Sequence, residues 1–587
     1  MMHIHGTCRH WFACCSLLLM SMTAATAAMS TGPDPGDTVN AWYEVRDWVD
    51  DLRIPAETDA GGTIRIAEST GCCIILRSQG RTVGIGTARE GASMLRDAAR
   101  QAISNALGDH AISALPDAMR GDAGRQLTVE LEVAGPLQPL IGDSFREFEN
   151  DIHPLRHGIA LRWRDEWSVQ YPSRLRLVNN RAEATRFDGM AIGLGRSPGA
   201  SPTALQRGEA TAYRFETIDL AQTTPTSAPM EIVGGTLQAS MPTSATLATD
   251  LVEARARLID HITASMWPDD DELLGAMGTY EPSTDRYDPL IARDLDQALL
   301  AFSLGRSARD DDVDPARREE ALAAALLILD ALAKREGERD VDESVGVVLA
   351  CSVIPETSLK ETHREMAHQA TERIQVLADD AAALDAHTAA MAAYAMTLVQ
   401  NQPTARRLAG HAWDALPVEQ HSTLLPWIVW TELELGDEPV QERRNKLLQI
   451  RSMLHQRQVP AGDLQFGVEL SGGYVLGRTP LDVTAQSLRP GAALPSMITS
   501  TALTPIDERP DELKRMEALA MFLLRLQITA EGSSLHRNPA RSTGGIRLAA
   551  WDTRMPPAAQ AMALLMLQEL LELWEDTDPG VAHPDLY

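Results

Sequence analysis

The stretch AAQAMALLMLQELLELW (558–574) decides how the C-terminal half of this 587-residue chain folds. Its large apolar residues lie on more than one side of a helix: Met562, Leu565, Leu567, Leu570, Leu571 and Trp574. A helix at the end of an open stack needs only one apolar face. This helix needs partners on several sides, which predicts that it packs near the first helix of the same half, at 246–265.

The rest of this half is rich in Ala and Leu. Apolar spacing predicts helices near 246–265, 290–304, 315–336, 341–353, 358–377, 383–400, 404–414, 421–435, 439–457, 511–529 and 556–575. The connecting loops are mostly short, so sequential helices are expected to pair antiparallel. Such a series forms a solenoid or a closed ring, and the absence of a consensus repeat counts against the common solenoids.

Two patches resemble the α/α-toroid, the ring of helical hairpins found in six-hairpin glycosidases, sugar epimerases and terpenoid-cyclase-like proteins. GTYEPSTDRYDPLIARDLDQALLAFSLG (278–305) is similar to its opening, and GGIRLAAWDTRMPPAAQAMALLMLQELLEL (544–573) is similar to its closing hairpin. The resemblance implies a C-terminal all-α domain, residues 245–587, built as an α/α-toroid of antiparallel helical hairpins. It identifies neither one family nor a reaction, because a shared fold does not give a shared chemistry.

In such a ring the loops at one end of the inner helices form the mouth, where binding residues concentrate. Three polar loops qualify, at 278–288, 461–477 and 533–555. Their candidate ligand-binding residues are Tyr280, Asp285, Arg286, Glu469, His536, Arg547, Trp551 and Asp552, accompanied by Asp288, Asp463, Tyr474, Arg537, Arg541 and Arg554. Aromatic faces and paired carboxylates suit a carbohydrate. The alternative is that Asp and Arg within each loop form turn contacts and local ion pairs.

Other site motifs are absent from the sequence: there is no His-Glu-x-x-His, Cys-x-x-Cys, Gly-x-Ser-x-Gly or phosphate-binding loop, and no metal or cofactor is expected. The acidic run Asp269 to Glu272 fits either a cation site or a solvated helix start. Trp427 and Trp430, three residues apart on one helix, fit either a sugar platform or core packing. Four scattered histidines, His363, His387, His411 and His421, are interpreted as individually satisfied.

The N-terminal half mixes strand and helix patterns. GCCIILRS (71–78) and TVGIGT (82–87) flank a turn, GASMLRDAARQAISNALGD (91–109) has helical spacing, and LTVELEVAGPLQPL (127–140) alternates apolar and polar residues. Two further short strands follow around a turn at 164–166. The pattern predicts an α+β domain over 37–180 with a mostly antiparallel sheet. Gly, Pro, Ser and Thr then indicate a bridging segment at 181–244, inside which TAYRFETIDLAQ (211–222) has the character of one strand.

This order of elements resembles the AMMECR1 family, over about 140 residues. The resembling segments are RTVGIGTARE (81–90), LTVELEVAGPLQPL (127–140) and RHGIALRWRDEWSVQYPS (156–173). The family typically carries Leu-Arg-Gly-Cys-Ile-Gly, whereas this chain has Thr82-Val83-Gly84-Ile85-Gly86 and lacks the arginine and the cysteine. The resemblance therefore implies that this domain has the AMMECR1-family fold and carries only a degenerate form of the family signature. The two glycines are expected to mark a bend or bulge, or alternatively a close ligand approach.

Cys72 and Cys73 are adjacent on a predicted strand, so their side chains point to opposite faces and are not expected to share a metal or bond to each other. We interpret them as small buried apolar groups, with a redox role as the alternative. Cys351 is the remaining cysteine beyond residue 28. Three cysteines form no disulfide framework.

The first residues, MMHIHGTCRHWFACCSLLLMSMTAATAAMS (1–30), have Arg9 and no acid before an apolar run, followed by Ala25 and Ala27 at signal-peptidase spacing. This predicts a signal peptide over 1–28, and hence an exported protein, periplasmic or extracellular. The apolar run is too short to span a membrane, so stable membrane insertion is not expected. The formal net charge of −29 argues against nucleic-acid binding.

Three functional hypotheses follow from these patterns. The first is an exported binding or regulatory protein, with a degenerate AMMECR1-like domain fused to a helical toroid and no demonstrable catalytic set. The second is a carbohydrate-active enzyme, a hydrolase, lyase or epimerase, with its site at the toroid mouth. The third, cyclisation or prenyl transfer, is least favoured because no acidic metal-binding motif is convincing. A small molecule or carbohydrate is the expected partner.

The leader generates a direct prediction. Secreted or periplasmic protein from an exporting host is expected to begin at residue 28 or 29, as read from the intact mass and N-terminal peptide, because cleavage follows small residues. Recovery of exported protein that still carries residues 1–20 would contradict the assignment.

Overall fold

The computed structural model describes residues 32–53, 66–142, 144–153, 155–177, 184–195, 210–232, 245–268, 272–335, 339–436, 441–462, 467–477 and 482–576, with a few single positions between them. The predicted signal segment, the acidic residues 269–271 and Asp463 lie outside these ranges. The chain forms two compact units: the first contains most of the chain up to Ile232, and the second contains the chain from Val233 onward together with the short segments Gln79–Arg81 and Leu175–Arg181.

The first unit is built around an antiparallel sheet. Its elements are α1 (Pro35–Asp50), β1 (Gly71–Ser78), β2 (Arg81–Arg89), α2 (Met94–Gly108), α3 (His110–Ser113), α4 (Asp117–Arg125), β3 (Thr128–Ala134), β4 (Gln138–Pro139), α5 (Phe145–Asp151), β5 (His157–Trp163), β6 (Glu166–Gln170), α6 (Pro172–Leu177), α7 (Ala184–Gly193), β7 (Ala210–Ala221) and β8 (Met230–Glu231). The strand order is β2-β1-β3-β7-β5-β6, with β4 and β8 also pairing with β7. This confirms the predicted sheet and the helix over 91–107.

The domain boundary expected at residue 180 needs correction. Strand β7, which lies inside the predicted bridging segment, pairs with β3 on one side and β5 on the other. Without it the sheet would be split into the three strands β2-β1-β3 and the pair β5-β6, each with an open edge, so the first unit extends to Ile232. The Gly- and Pro-rich surroundings concealed the central strand.

Alternating side chains on β1 and β3 cover one sheet face with α1 and α2. Cys72, Ile74, Leu131 and Val133 belong to this core, and Trp42 of α1 donates its indole N–H to the Val129 carbonyl at 3.3 Å. Helix α1 begins at Asp34, whose carboxylate accepts from the backbone of Asp37, with Pro35 in the first turn. The core therefore lies between the sheet and these two helices.

Gly84 and Gly86 on β2 mark neither the bend nor the ligand approach considered above. A Cβ at either position would collide with backbone carbonyl oxygens of α2, at Ala102 and Ala98 respectively. Glycine at these two positions lets the helix lie close against the strand.

The second unit is helical. Its elements are α8 (Leu247–Ala264), β9 (Tyr280–Glu281), β10 (Arg286–Tyr287), α9 (Asp294–Arg309), α10 (Pro315–Lys334), α11 (Val341–Val353), α12 (Glu361–Ala378), α13 (Ala386–Leu398), α14 (Gln402–Asp414), α15 (Trp427–Glu434), α16 (Gln441–Arg457), α17 (Leu488–Thr499), α18 (Arg509–Leu526), α19 (Ala530–Ser533), α20 (Pro539–Ser542) and α21 (Pro557–Asp576). The eleven expected helices are all present within a few residues of the predicted bounds. Helix α17 was missed because Pro490, Gly491 and Pro495 argued against a helix.

Six of these helices contact one another in a closed cycle. Helix α9 contacts α11, and the contacts continue through α13, α15, α17 and α21 back to α9. We call these six the ring helices. Their sequences are apolar on most sides, as in α13 with AHTAAMAAYAMTL, because neighbours and an outer helix bury them all round.

The outer helices α8, α10, α12, α14, α16 and α18 each precede a ring helix in the chain, and α8 contacts α10, α18 and α21. The predicted packing of the 246–265 helix against the 556–575 helix is therefore confirmed. Since each outer helix leads into a ring helix, the amino ends of the ring helices share one end of the unit and their carboxyl ends share the other.

The thiols give a testable consequence of the first core. Cys72, Cys73 and Cys351 are free and buried, and burial raises the pKa of Cys72 and of Cys351 to about 12. Cys72 lies in the core under α2, whereas Cys73 faces Glu132 from the other side of the sheet, as strand alternation predicts.

We therefore expect no alkylation by iodoacetamide at pH 8 in the native protein and alkylation of all three thiols after unfolding in guanidinium chloride. Peptide mass spectrometry of both samples makes the measurement. Rapid native labelling of Cys72 or Cys73 would contradict the buried structural role and favour a redox role.

Candidate functional site

Two of the three loops expected to form a mouth meet, at the amino ends of the ring helices. Tyr280 and Met555 exchange backbone hydrogen bonds of 3.3 and 2.9 Å, which join the loop before α9 to the loop before α21. The backbone N–H of Arg537 donates to the Pro282 carbonyl at 3.1 Å. Ring closure thus brings the 278–288 and 533–555 loops together, as predicted.

Asp285 is held by side chains of both loops. It accepts hydrogen bonds from the Tyr280 hydroxyl at 3.0 Å, from Asn538 at 3.3 Å and from Arg541 at 3.2 Å. Burial and the neighbouring Asp285 carboxylate raise the pKa of Tyr280, which keeps the phenol a hydrogen-bond donor. Arg286 lies exposed on β10. These contacts tie the two loops together.

The other candidate residues of the mouth are also engaged within the protein. Buried Arg547 donates to the carbonyls of Ala550 at 2.9 Å and Arg525 at 2.5 Å, and burial lowers the pKa of Arg547 to about 10. Asp552 is fully buried and accepts from Arg554 at 2.5 to 3.1 Å. Glu469, Tyr474 and His536 are buried and Trp551 is half-buried. The loop contacts and local ion pairs considered as the alternative are present here.

A cavity of about 430 Å³ opens at the opposite end, among the carboxyl ends of ring helices. Its polar lining includes Arg255, Arg306, Arg309, Tyr394, Gln568 and Glu572, and its apolar lining is Val353, Leu398 and Leu571. These residues come from α8, α9, α11, α13 and α21. We call this space the carboxyl-end cavity.

Arg306 is the central charge of the carboxyl-end cavity. Its Nη2 lies 2.8 Å from Glu569 and 3.7 Å from Glu572, and its guanidinium carbon lies 5.5 Å from the centre of the Trp430 ring. Ser496 donates to the second oxygen of Glu569 at 2.7 Å. Burial lowers the pKa of Arg306, but Glu569 and other negative neighbours outweigh it and raise the pKa above its ordinary value. The guanidinium is therefore fixed and charged.

Gln568 presents an unused acceptor. Its amide nitrogen donates to the Ser303 carbonyl at 3.0 Å and to the Ser307 hydroxyl at 2.7 Å, while its Oε1 is buried without a hydrogen-bond partner among the described residues. A buried polar atom without a partner costs about 1–3 kcal/mol, and a hydroxyl or water molecule that reached Oε1 would satisfy it.

Tyr394 adds a hydroxyl and an aromatic ring. No described residue hydrogen-bonds the hydroxyl, and burial raises the pKa of Tyr394 to about 12, so it stays neutral at physiological pH. The ring lies 5.1 Å from Trp430, 6.0 Å from Trp427 and 6.4 Å from Phe302. The two tryptophans thus pack in the core, and Trp430 also supports the wall of the cavity through Arg306.

The rim of the cavity carries further charges. Arg255 is buried and pairs with Asp310 at 2.5 Å, and it donates to the Asp312 carbonyl at 3.3 Å. Arg309 is exposed in the last turn of α9, and no described residue forms a hydrogen bond or ion pair with it. Arg306 and Arg309 are three residues apart and share one face of α9.

The sequence alone does not reveal this site, because its members extend from Arg255 to Glu572 and belong to helices whose pattern predicts core packing. The one available signal was polar residues inside apolar helices: Arg306, Gln568 and Glu569.

The scattered histidines contact separate partners, although the Nδ1 atom of His421 has no hydrogen-bond partner among the described residues. His363 lies 2.9 Å from Asp330, His411 lies 3.0 Å from the Leu384 carbonyl, and His421 lies 2.9 Å from the Leu416 carbonyl. His387 contacts Arg489 at 3.0 Å. In the described part of the chain, no group of three or more His, Cys, Asp or Glu could hold a metal ion. No helix among the described residues is long and apolar enough to cross a membrane.

No protein-family model matches this chain, and none of the curated proteins does. Among solved structures, the uncharacterised protein PH0010 from Pyrococcus horikoshii is similar at 16% identity and a TM-score of 0.26, over 34% of this chain and 98% of that one. An inactive variant of the α-1,6-mannanase GH76A of Salegentibacter sp. HEL1_6, in complex with α-1,6-mannotriose, is similar at 11% identity and a TM-score of 0.38, over 55% and 99%. Similarities this low carry no argument about function.

The His387 environment gives a pH prediction. Burial lowers the pKa of His387 to about 4, and the adjacent Arg489 charge acts in the same direction. Between pH 6.5 and 4 the unfolded chain binds a proton here that the native protein does not, so the free energy of unfolding falls as the pH falls. Converted at 1.36 kcal/mol per pKa unit, the upper limit is about 3 kcal/mol.

Urea unfolding of wild type and His387→Gln across this pH range measures the effect, and the variant is expected to show the smaller fall. His368→Gln, at an exposed position of α12, is the matched control and should follow wild type. Identical pH dependence in His387→Gln and wild type would show that His387 is not the buried neutral group described.

Proposed function

We propose that this chain is an exported binding protein whose helical unit takes a small polyhydroxylated molecule, of carbohydrate type, in the carboxyl-end cavity. The observation that carries the proposal is a cavity of about 430 Å³ whose lining combines arginine, tyrosine, amide and carboxylate side chains with apolar ones. Ligand sites typically measure about 300–1,000 Å³ and combine apolar walls with a few fixed polar groups.

The lining has the chemistry that hydroxyl groups require. Tyr394, Arg306 and Arg255 supply donors, and Gln568, Asp310 and Glu572 supply acceptors. Many of these groups are already positioned by protein contacts, which reduces the entropy lost when a ligand binds. Leu398, Leu571 and the Tyr394 ring provide apolar surface for the carbon face of a sugar.

We propose further that the helical unit is an α/α-toroid and that the first unit has an AMMECR1-like fold with a degenerate signature. The closed cycle of six ring helices, each preceded by an outer helix, supports the first assignment. The observed sheet over the resembling segments supports the second. Export is part of the same proposal, and it rests on the signal peptide predicted over residues 1–28.

A carbohydrate-active enzyme is the second candidate. Asp342 of α11 and Asp385 before α13 each lie 2.6 Å from the Thr388 hydroxyl, so their oxygens are within about 5 Å of each other, near the spacing of retaining glycosidases. Burial opposes ionisation of Asp385, but hydrogen bonds from Thr388 and from backbone N–H groups hold the pKa of Asp385 below its ordinary value. The hydrogen bonds to Asp385 also cap the amino end of α13, which gives this carboxylate a structural role. The mouth carboxylates Asp285 and Asp552 accept hydrogen bonds from arginines of the mouth loops. Binding is therefore the better-supported function.

Calorimetric titration of the mature protein with neutral mono- and disaccharides tests the proposal. Tyr394→Phe removes only a hydroxyl and is expected to weaken binding about threefold to tenfold, the value of one hydrogen bond. Tyr474→Phe is the matched control, since its hydroxyl is buried without a described partner in the mouth loops.

Binding that is unaffected by Tyr394→Phe, or absent for every saccharide, would overturn the proposed site. Analysis of the same samples for hydrolysis products tests the second candidate, a carbohydrate-active enzyme. Hydrolysis of a glycoside by wild type, lost in Asp385→Asn, would favour the enzyme.

A further inference from the structure

We infer that the ligand of the carboxyl-end cavity is a hydroxy-carboxylate, a sugar acid, whose carboxylate is bound by Arg306 and Arg309. The inference rests on the proposed function, since it names the ligand class of the same site. It follows from which polar atoms of the cavity are already used and which are not.

Arg306 has N–H donors that form no hydrogen bond with a described residue. Its Nη2 is engaged by Glu569 and Glu572, while its Nε and Nη1 donate to no described residue. A guanidinium offers five N–H donors in a rigid fork that matches the two oxygens of a carboxylate. Glu569 and the ring of Trp430 hold this fork in place, so a ligand carboxylate meets a pre-oriented partner.

Arg309 supplies a guanidinium that forms no ion pair with a described carboxylate, although Asp312 and Glu572 line the same cavity. It lines the same cavity one turn beyond Arg306 and has no ion-pair partner among the described residues. The nearby carboxylates are largely committed: Asp310 accepts from Arg255 at 2.5 Å and from the Asp312 backbone at 2.9 Å, and Glu569 accepts from Arg306 and Ser496. Arg309 is therefore the cation left to attract an anion.

Gln568 favours a ligand that carries a hydroxyl group as well as a carboxylate. Its unpartnered Oε1 is an acceptor on a side chain that is 97% buried, with 3% relative exposure. A carboxylate has no hydrogen to donate to it, whereas a hydroxyl group does. The free donors on arginine and the acceptor on glutamine together favour a molecule with both a carboxylate and a hydroxyl.

Calorimetry with D-glucuronate and D-glucose, which differ only in the carboxylate, tests the inference on the mature protein. Glucuronate is expected to bind at least about tenfold more tightly, the value of a charged hydrogen bond. Arg309→Gln is expected to remove most of that preference by weakening glucuronate binding. Since Arg309 is exposed and unpaired, the variant's thermal midpoint should equal that of wild type.

Arg407→Gln on the outer helix α14, where Arg407 pairs with Asp379 at 2.6 Å, is the matched control and should keep the preference. Equal affinity for the two sugars in wild type would overturn the inference and leave the proposed function standing. If neither sugar binds but D-tartrate binds in an Arg309-dependent manner, carboxylate recognition is supported and the carbohydrate proposal fails. A preference for glucuronate that persists in Arg309→Gln would contradict the role of Arg309.

Discussion

The packing of the last helix against the first is the interaction on which the helical unit depends. Helix α21 contacts α17, α9 and α8, so its apolar residues are buried on nearly every side. Gln527, which directly follows α18, links α8 to the loop before α21 by donating to the carbonyls of Ala254 and Gly544 at 2.9 and 3.0 Å. The carboxyl-end cavity takes its walls from α8, α9 and α21, so it exists only because the ring closes.

The two ends of the ring use their polar residues differently. At the amino end, loop arginines and carboxylates pair with one another and with backbone carbonyls, as Asp285 and Arg547 show. At the carboxyl end, the exposed carbonyls of several helices favour cations, and Arg306 and Arg309 occupy the last turn of α9. Glu569 pairs with Arg306 and holds its guanidinium in place. Arg309 has no ion-pair partner among the described residues, so its guanidinium is available to a ligand.

Periodicity predicted the helices and the main sheet strands because both depend on local apolar spacing. It failed where tertiary context overrode local preference. Helix α17 contains two prolines and a glycine but is buried between α15, α21 and an outer helix, and β7 is a central strand inside a polar segment. The mouth loops were recognised because their polar residues are consecutive. The cavity was not, because Arg306, Tyr394 and Gln568 meet only after the ring has closed.

Distance measurement by pulsed electron paramagnetic resonance tests the closed ring most directly. Spin labels on Val252→Cys of α8 and Glu572→Cys of α21 use exposed positions, and the native thiols are buried. Packed helices lie 8–10 Å apart, so with label arms the account predicts a narrow distribution at about 25 Å or less. In an open stack of six hairpins the same labels would be about 40 Å or more apart. A distribution centred there would contradict the ring, and with it the carboxyl-end cavity.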